Sequence, residues 1–358
     1  MKVAVVILNW NTKDFLRSFL PKVIASTMTV DGEVVVADSA STDGSLEMMA
    51  SMFPGVRTIA LDQNYGFTGG YNRALAQIDA EYAVLLNSDV EVSTDWLRPL
   101  VQWMDSHPRC GACGPKLHSY GERDSFEYAG AAGGCIDRFG YPFCRGRVLS
   151  RLETDRGQYD AAPKDVMWIT GACLLVRLSL WRELGGFDAR FFAHMEEIDL
   201  CWRMQLAGWS VTVIPSSVVW HIGGGTLPKG SPFKLALNYR NNLLLLENNL
   251  ARTLSLEMTP AQAARKARRR IFWRRIWDGC SALVYLLTFH PQSYSAVLKA
   301  HREYRELRHV ETPAEIQAWR SGIPETVTVK GIYNGWMIPL AFLKGRGVFQ
   351  ALEKRTDL

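Results

Sequence analysis

The sequence lacks any uninterrupted apolar stretch of the ~20 residues that a bilayer-spanning helix needs, and the late run Gly279–Phe289 is too short. It lacks a phosphate loop of the Gly-x-x-x-x-Gly-Lys-Ser/Thr type. It also lacks the Gly-x-Gly-x-x-Gly fingerprint behind its first strand, so neither P-loop chemistry nor dinucleotide binding is indicated. No Ser–His or Cys–His pairing stands out as a nucleophile with its base. Met1-Lys2 runs straight into Val3–Leu8 without the layout of a secretory signal. Seven cysteines, an odd number scattered along the chain, argue against a disulfide framework and for a reducing cytosol. Charged residues are only 22% and hydrophobic residues 47% of 358 positions, which suits an ordinary globular protein of one large domain or two smaller ones. The net charge of +5 is mild, yet Lys and Arg crowd into the C-terminal third and point to an anionic surface there.

What is present is a repeated pattern of strand followed by polar loop. Val3–Leu8 is a continuous apolar run, as in a strand covered on both faces, and it ends in Asn9-Trp10-Asn11. Thr12 is placed to cap a helix to about Thr27, with Phe15, Leu16, Phe19, Leu20 and Val23 inward and Pro21 a point of kinking. Glu33–Ala37 predicts a second strand ending in Asp38–Ser45, and Val56–Leu61 a third. Gln63–Asn72 is a Gly-rich turn opening a helix to about Asp79, and a fourth strand, Ala83–Leu86, breaks into Asn87-Ser88-Asp89. Strands alternating with helices predict an α/β fold with a mostly parallel sheet flanked by helices. Ligands of such sheets bind beyond the carboxyl ends of the strands. There Asp89 could hold a divalent cation on a diphosphate; the plainer reading is a polar loop before a helix capped by Thr94 or Asp95. Asp38 could accept hydrogen bonds from a base or ribose. Gly66, Gly69 and Gly70 either let backbone approach a ligand or let a helix pack closely on the sheet.

Further along, a helix is expected over Trp96–Met104, a strand near Gly111–Gly114, and an irregular insertion over 121–165 with a hairpin near Gly133–Cys144. Ile169–Arg177 reads as a strand. Glu196 to about Ala207 reads as a helix stopped by Gly208, with Glu196, Asp199 and Arg203 on one face and Glu197 off it. Carboxylates at a helix start suit its dipole. One delivered beside Phe191-Phe192 can take a raised pKa and act as a base. Val211–Ile214 is a further strand. His221 ends another, ahead of Gly223-Gly224-Gly225-Thr226, a loop able to order over a ligand. It is either structural or part of a Mn²⁺ or Mg²⁺ shell with an Asp and a diphosphate.

In order, Val5–Asn11, Asp38–Ser45, Asn64–Asn72, Leu86–Asp89, Gly171-Ala172, Gly185–Asp188, Glu196–Arg203 and His221 resemble the inverting family-2 glycosyltransferases of GT-A fold, in particular their bacterial rhamnosyltransferase-like members. The resemblance spans about residues 3–225. It implies a Mg²⁺- or Mn²⁺-dependent enzyme that moves a sugar from a UDP- or dTDP-linked donor to a hydroxyl of a lipid-linked or polysaccharide acceptor. It implies donor contacts from Asn9, Asn11, Asp38, Asn64, Gly66, Phe67, Gly70, Asn72, Asn87 and Asp89, with Asp38 at the nucleobase. Asp89 and His221 would hold the cation, and Gly171, Asp199 and Arg203 would meet the acceptor. Glu197 takes the place of the family's Asp base, with Glu196 the other candidate, and Asn87 stands where the family's Asp-x-Asp has its first Asp. Two other readings use a similar sheet. A nucleotidyltransferase would carry a basic phosphate loop where this chain has Asn9-Trp10-Asn11. A sugar-nucleotide-binding protein would have a dead site.

Residues 1–230 are expected to form the catalytic domain, with a donor half of about 1–92 and an acceptor half of about 93–230, and 231–358 a mainly helical region. In the latter, Phe233–Leu250 predicts a helix. Arg265–Trp277 then mixes seven basic residues with aromatics ahead of the apolar Gly279–Phe289. Such a segment suits an anionic membrane surface, packing against the catalytic domain with its arginines solvated, or nucleic acid. The expectation is a cytoplasmic protein at the inner face of the plasma membrane, with no nucleic-acid partner.

Overall fold

The apolar runs that begin the chain become the middle of a nine-stranded sheet. In the computed structural model, which describes residues 1–223 and 230–356, β1 (Val3–Asn9), α1 (Lys13–Thr27), β2 (Gly32–Ser39), α2 (Ser45–Met52), β3 (Arg57–Leu61), α3 (Gly66–Leu75) and β4 (Tyr82–Asn87) alternate as expected. Next come β5 (Val90–Val92), α4 (Leu97–Ser106) and β6 (Cys110–Ser119). The insertion holds the short strands β7 (Gly134–Asp137), β8 (Pro142–Cys144), β9 (Arg147–Val148), β10 (Arg151–Leu152) and β11 (Lys164–Asp165). Then follow β12 (Cys173–Arg177), α5 (Leu178–Glu183), α6 (Glu196–Leu206) and β13 (Ser210–His221).

The large sheet runs β11-β13-β6-β12-β4-β1-β2-β3, with β5 against β13. β4, β1, β2 and β3 are parallel, and their register sets Asn9 beside Asp38 and Leu8 beside Asn87 on one sheet edge. Val3, Val5 and Ile7 face one core while Ala4 and Val6 face another. Both faces of β1 are therefore covered, which is why its sequence is apolar without alternation. Pro21 does not shorten α1, which continues to Thr27. The Thr12 hydroxyl does not cap that helix; it donates to Asn9 Oδ1 and accepts from the Ser88 hydroxyl instead. Neither Thr94 nor Asp95 caps α4, which begins after Trp96. The two late strands expected around Val211 and Val218 are one, β13, with an irregularity between Ile214 and Val218. Cys110 and Cys113 are spaced like a redox pair, but they lie on an extended strand, where burial pushes both thiols up; all seven cysteines are free.

The C-terminal region comprises α7 (Pro232–Ser255), α8 (Pro260–Leu287), α9 (Pro291–Leu307), α10 (Pro313–Ser321), β14 (Ile332–Tyr333), α11 (Met337–Lys344) and α12 (Val348–Glu353). α8 and α10 each open on Thr-Pro with a reciprocal cap, Thr259 with Gln262 and Thr312 with Glu315. This region is built into the rest. β14 joins the insertion strands in a second sheet, β10-β9-β8-β7-β14. Met337, Ala341, Val348 and Phe349 pack over Cys135, Phe143 and Val148. The main core continues through Leu243–Leu246 of α7 to Tyr304 of α9. Residue 230 therefore marks a change of composition inside a shared core. The basic cluster is not all at the surface: Arg274 turns inward to Asp278, Asn242 and the Phe139 carbonyl, over the Tyr141 ring.

Candidate active site

At the sheet edge Asn9 is fully buried, and its amide donates to Asp38 Oδ1 at 2.6 Å and to Ser41 Oγ at 3.1 Å. The Ser41 amide donates to Asp38 Oδ2 at 2.9 Å. Asp38 is 1% exposed, so it shapes the 38–43 loop from within. The loop's exposed neighbours are Asn11 and Thr42, joined by a 2.7 Å bond from the Thr42 amide to Asn11 Oδ1.

Gly66 has φ of 71° and lies directly against Phe192, where a side chain would clash. Gly70 packs on Leu8 and Gly69 on Tyr65. For these glycines, close packing is what the geometry carries. Asn64 closes a turn on the Gly66 amide at 2.8 Å. Asn72 donates to the Phe187 carbonyl at 2.8 Å and accepts from the Phe187 amide at 2.9 Å. Its side-chain amide thereby ties α3 to the Gly185–Asp188 turn. Phe67 is half-buried against Tyr71 and Phe187, beside Gly171.

Asn87 ends β4, and its amide donates to the Ala172 carbonyl at 3.0 Å. Asp89 is buried, with Oδ1 3.2 Å from His221 Nε2 at the end of β13. The Nδ1 of the same ring lies 3.5 Å from Glu127 Oε2. Burial alone would lower the His221 pKa, but the two carboxylates outweigh it and hold the ring up to about 10. Burial would likewise raise Asp89, yet its bond to His221 keeps it below the usual carboxylate range. A carboxylate oxygen and an imidazole nitrogen this close can share one divalent cation. Glu127 on the opposite ring nitrogen matches the way metal-binding histidines are oriented. Among the described residues no group of three or more such side chains could hold a cation alone, so the bound ligand would have to complete the shell. These residues fit Mg²⁺ or Mn²⁺ on that basis. Glu127 escapes sequence reading because it sits in the irregular insertion. Beyond Gly223, the loop expected to order over a ligand lies outside the described residues.

The second cluster opens α6. The segment ahead of it puts three non-glycine residues, Phe192, His194 and Met195, in left-handed conformations with φ of 64°, 71° and 72°. Such conformations are uncommon outside glycine and gather at functional sites. Glu196 is buried and Glu197 nearly so, and Oε2 of each has no hydrogen-bond partner among the described residues. Burial raises Glu197 to about 7. Burial, then the neighbouring Glu197, drives Glu196 well above the ordinary range. His194, half-buried, is lowered to about 4 by desolvation and then by the charge of Lys234. A Cβ on Gly171 would meet Glu197 Cβ at 3.8 Å. Because the next residue, Ala172, is bonded to Asn87, the carboxylate pair stands close to the Asn87–Asp89 turn. Asp199 is fully enclosed, accepting from Arg203 at 2.7 Å, Asn248 at 3.0 Å and Asn249 at 2.8 Å. Arg203 also donates to the carbonyls of Leu184 and Gly186. Both residues brace this end of the helix. Gly171 lies between Phe67 and Glu197.

The sheet edge, the Asp–His pair and the unpaired carboxylates together define a group-transfer enzyme on a nucleotide-binding sheet. Residues 4–177 match the glycosyl transferase family 2 model: the chain carries a domain of that family and is a glycosyltransferase of GT-A fold. It is 29% identical over 231 residues to the N-acetylglucosaminyl-diphospho-decaprenol L-rhamnosyltransferase of Mycobacterium tuberculosis, covering 60% of this chain and 74% of that one. It is 24% identical over 224 residues to rhamnosyltransferase WbbL of Escherichia coli, covering 60% and 81% respectively. Among solved structures, S. aureus TarS 1–349 in complex with UDP-GlcNAc aligns with a TM-score of 0.53 at 14% identity, over 90% of this chain and 93% of that one. GalNAc-T7 with UDP, GalNAc and Mn²⁺ aligns at 0.53 and 17%, over 76% and 54%. These two likenesses are of fold.

Proposed function

We propose that this glycosyltransferase is metal-dependent and inverting, and that it moves a sugar from a UDP- or dTDP-linked donor to a hydroxyl of a lipid-linked or surface-polysaccharide acceptor. The observation that carries the reading is the Glu196–Glu197 pair, two buried carboxyl groups with unpartnered oxygens beside Gly171. Burial raises both carboxyl groups, Glu197 to about 7, so its carboxylate form is reached near neutral pH. Glu197, as carboxylate, takes the proton of the acceptor hydroxyl while that oxygen bonds to the anomeric carbon. The bond from that carbon to the diphosphate oxygen breaks on the opposite face, which inverts the centre. A desolvated carboxylate whose pKa lies near the working pH is suited to that transfer. Asp89 and His221 would hold Mg²⁺ or Mn²⁺, which when bound offsets charge on the departing diphosphate. Asn9, Asp38 and Asn11 shape the nucleotide end.

A lipid-linked acceptor is supported by the name of the M. tuberculosis relative and by the outer face of α8. One side of that helix packs inward through Ala263, Ala267, Ile271, Asp278 and Ala282. Phe272, Ile276, Leu283 and Leu287 are exposed on the other side, in line with Arg265 and Arg269. Basic and aromatic groups on one face suit an anionic leaflet, here the inner face of the plasma membrane. Among the described residues no helix is long and apolar enough to cross a membrane.

A melting-temperature screen of nucleotide sugars with and without Mn²⁺, followed by transfer to a polyprenyl-diphosphate-linked sugar, tests the reading. A UDP- or dTDP-sugar should raise the melting temperature only with the cation present and should then be consumed with acceptor. Cation-independent donor binding without transfer would favour a dead-site binding protein.

A further inference from the structure

The strained segment ahead of the carboxylate pair is held by a helix that the sequence sets outside the catalytic half. Every carbonyl from Phe191 to His194 is taken. The Thr68 amide of α3 donates to Phe192 at 3.1 Å. On the other side a single side chain, Asn241 of α7, presents Nδ2 to the carbonyls of Phe191, Ala193 and His194 at 2.9, 2.8 and 2.7 Å. Asn241 is 0% exposed. Its orientation is forced: Arg240 Nε, which can only donate, meets Asn241 Oδ1 at 2.9 Å, so the amide nitrogen must face the loop. Arg240 also donates to the Phe191 and Arg190 carbonyls at 2.9 and 3.1 Å. The left-handed residues 192, 194 and 195 are thus clamped between α3, which carries the Gly-rich turn, and α7.

We propose that Asn241 is a positioning residue for catalysis: it fixes the backbone of residues 191–195 in the one conformation that delivers the Glu196–Glu197 pair to the cleft. The inference rests on the reading of that pair as carrying the base. It assigns a catalytic consequence to α7, a helix without a reacting group. Backbone strain of this kind persists only where the surroundings over-determine it, and three carbonyls converging on one amide supply that constraint.

The bland alternative is that Asn241 is only a buried polar residue that the fold needs. Its neighbour separates the two. Asn242 is also buried on α7, but its amide donates to the Gly140 carbonyl at 2.5 Å and its oxygen accepts from Arg274, both away from the loop. Asn241→Ala and Asn242→Ala would be compared for melting temperature, nucleotide affinity, and kcat and KM of sugar transfer. Both should lower the melting temperature. Asn241→Ala alone should cut kcat, by roughly 10- to 100-fold as expected for a misplaced catalytic group, with nucleotide affinity near wild type. Equal loss of kcat in both variants, or unchanged kcat in Asn241→Ala, would overturn the proposal. Should Asn241→Ala not fold, Arg240→Lys removes the donor that orients the Asn241 amide and is read the same way. Glu196→Gln and Glu197→Gln run alongside. If both transfer normally, the base reading falls and this proposal with it. If one is inactive while Asn241→Ala retains kcat, the positioning role alone is wrong.

Discussion

Two acidic clusters are buried in this molecule, and the protein treats them in opposite ways. Asp89 and Glu127 flank His221; the two carboxylates hold the ring up to about 10, and the bond to His221 keeps Asp89 below the usual carboxylate range. Glu196 and Glu197 have no such cation among the described residues, and their carboxyl groups are pushed up instead. Burying an ion without a partner is costly enough that the group neutralises. The first cluster is therefore a finished electrostatic unit, in which a metal, if bound, would take the place of the ring proton. The second is a deficit, and a substrate hydroxyl that gives up its proton would meet it. The contrast teaches that burial alone does not assign a role to a carboxylate; what faces it does. Asp199, buried between Arg203, Asn248 and Asn249, belongs with the first kind although it lies on the helix of the second.

The comparison can be broken from the metal side first. Asp89→Asn should abolish cation-dependent donor binding while the fold survives, because the carboxylate that would hold the cation is gone. Isothermal titration of UDP or dTDP with Mn²⁺ reads this, and undiminished Mn²⁺-dependent affinity would remove Asp89 from the site. A smaller effect is expected of Glu127→Gln. If Glu127 orients His221 through Nδ1, cation affinity should drop by about 10- to 100-fold, the usual consequence of losing such a partner; an unchanged affinity would leave Glu127 a mere neighbour.

The smallest effect concerns stability and has a definite sign. Glu197 folded titrates near 7, above its ordinary 4.5, so the folded protein binds that proton more tightly than the unfolded chain. Its contribution is therefore present below about pH 4.5, falls as pH rises to about 7, and stays lost above that. Glu197→Gln should abolish this decline and melt about 2–4 °C above wild type at pH 8, the shift expected of a modest free-energy change in a chain of this size. A variant melting below wild type at pH 8 would show that the carboxylate is satisfied after all.

Much of this was legible because parallel strands write themselves plainly. Val3–Leu8 and Ala83–Leu86 are apolar without alternation because both faces are covered, and the polar residues that follow mark the ligand edge. Helix α6 could be read from its start signals and the Gly208 stop. What the sequence hides is long-range. Glu127 meets His221 across 94 positions of an insertion with no periodicity, and nothing near it announces the pairing. The bonds that join Asp199 to Arg203 and to Asn248 and Asn249 of α7 are long-range in the same way. The signal that could have been weighed is in α7 itself, where Asn241, Asn242, Asn248 and Asn249 bracket a Leu-rich run. Asparagines within so apolar a helix are buried, and buried amides must find partners; here they find the loop and the braces around the carboxylate pair. The glycines Gly66, Gly69 and Gly70 were ambiguous in sequence because ligand approach and close packing ask for the same residue.

The central claim is that the unpaired pair supplies the base and that Glu197 is the member that accepts the proton. Its most direct test is acceptor glycosylation by Glu197→Gln and Glu196→Gln, each measured with donor affinity. Glutamine keeps shape and size and removes the proton acceptor, so Glu197→Gln should lose about 10²- to 10⁴-fold in turnover, as for other positioned bases, with nucleotide affinity near wild type. Glu196→Gln should retain far more of it. Normal turnover by Glu197→Gln beside an inactive Glu196→Gln would move the base by one residue, and normal turnover by both would contradict the account.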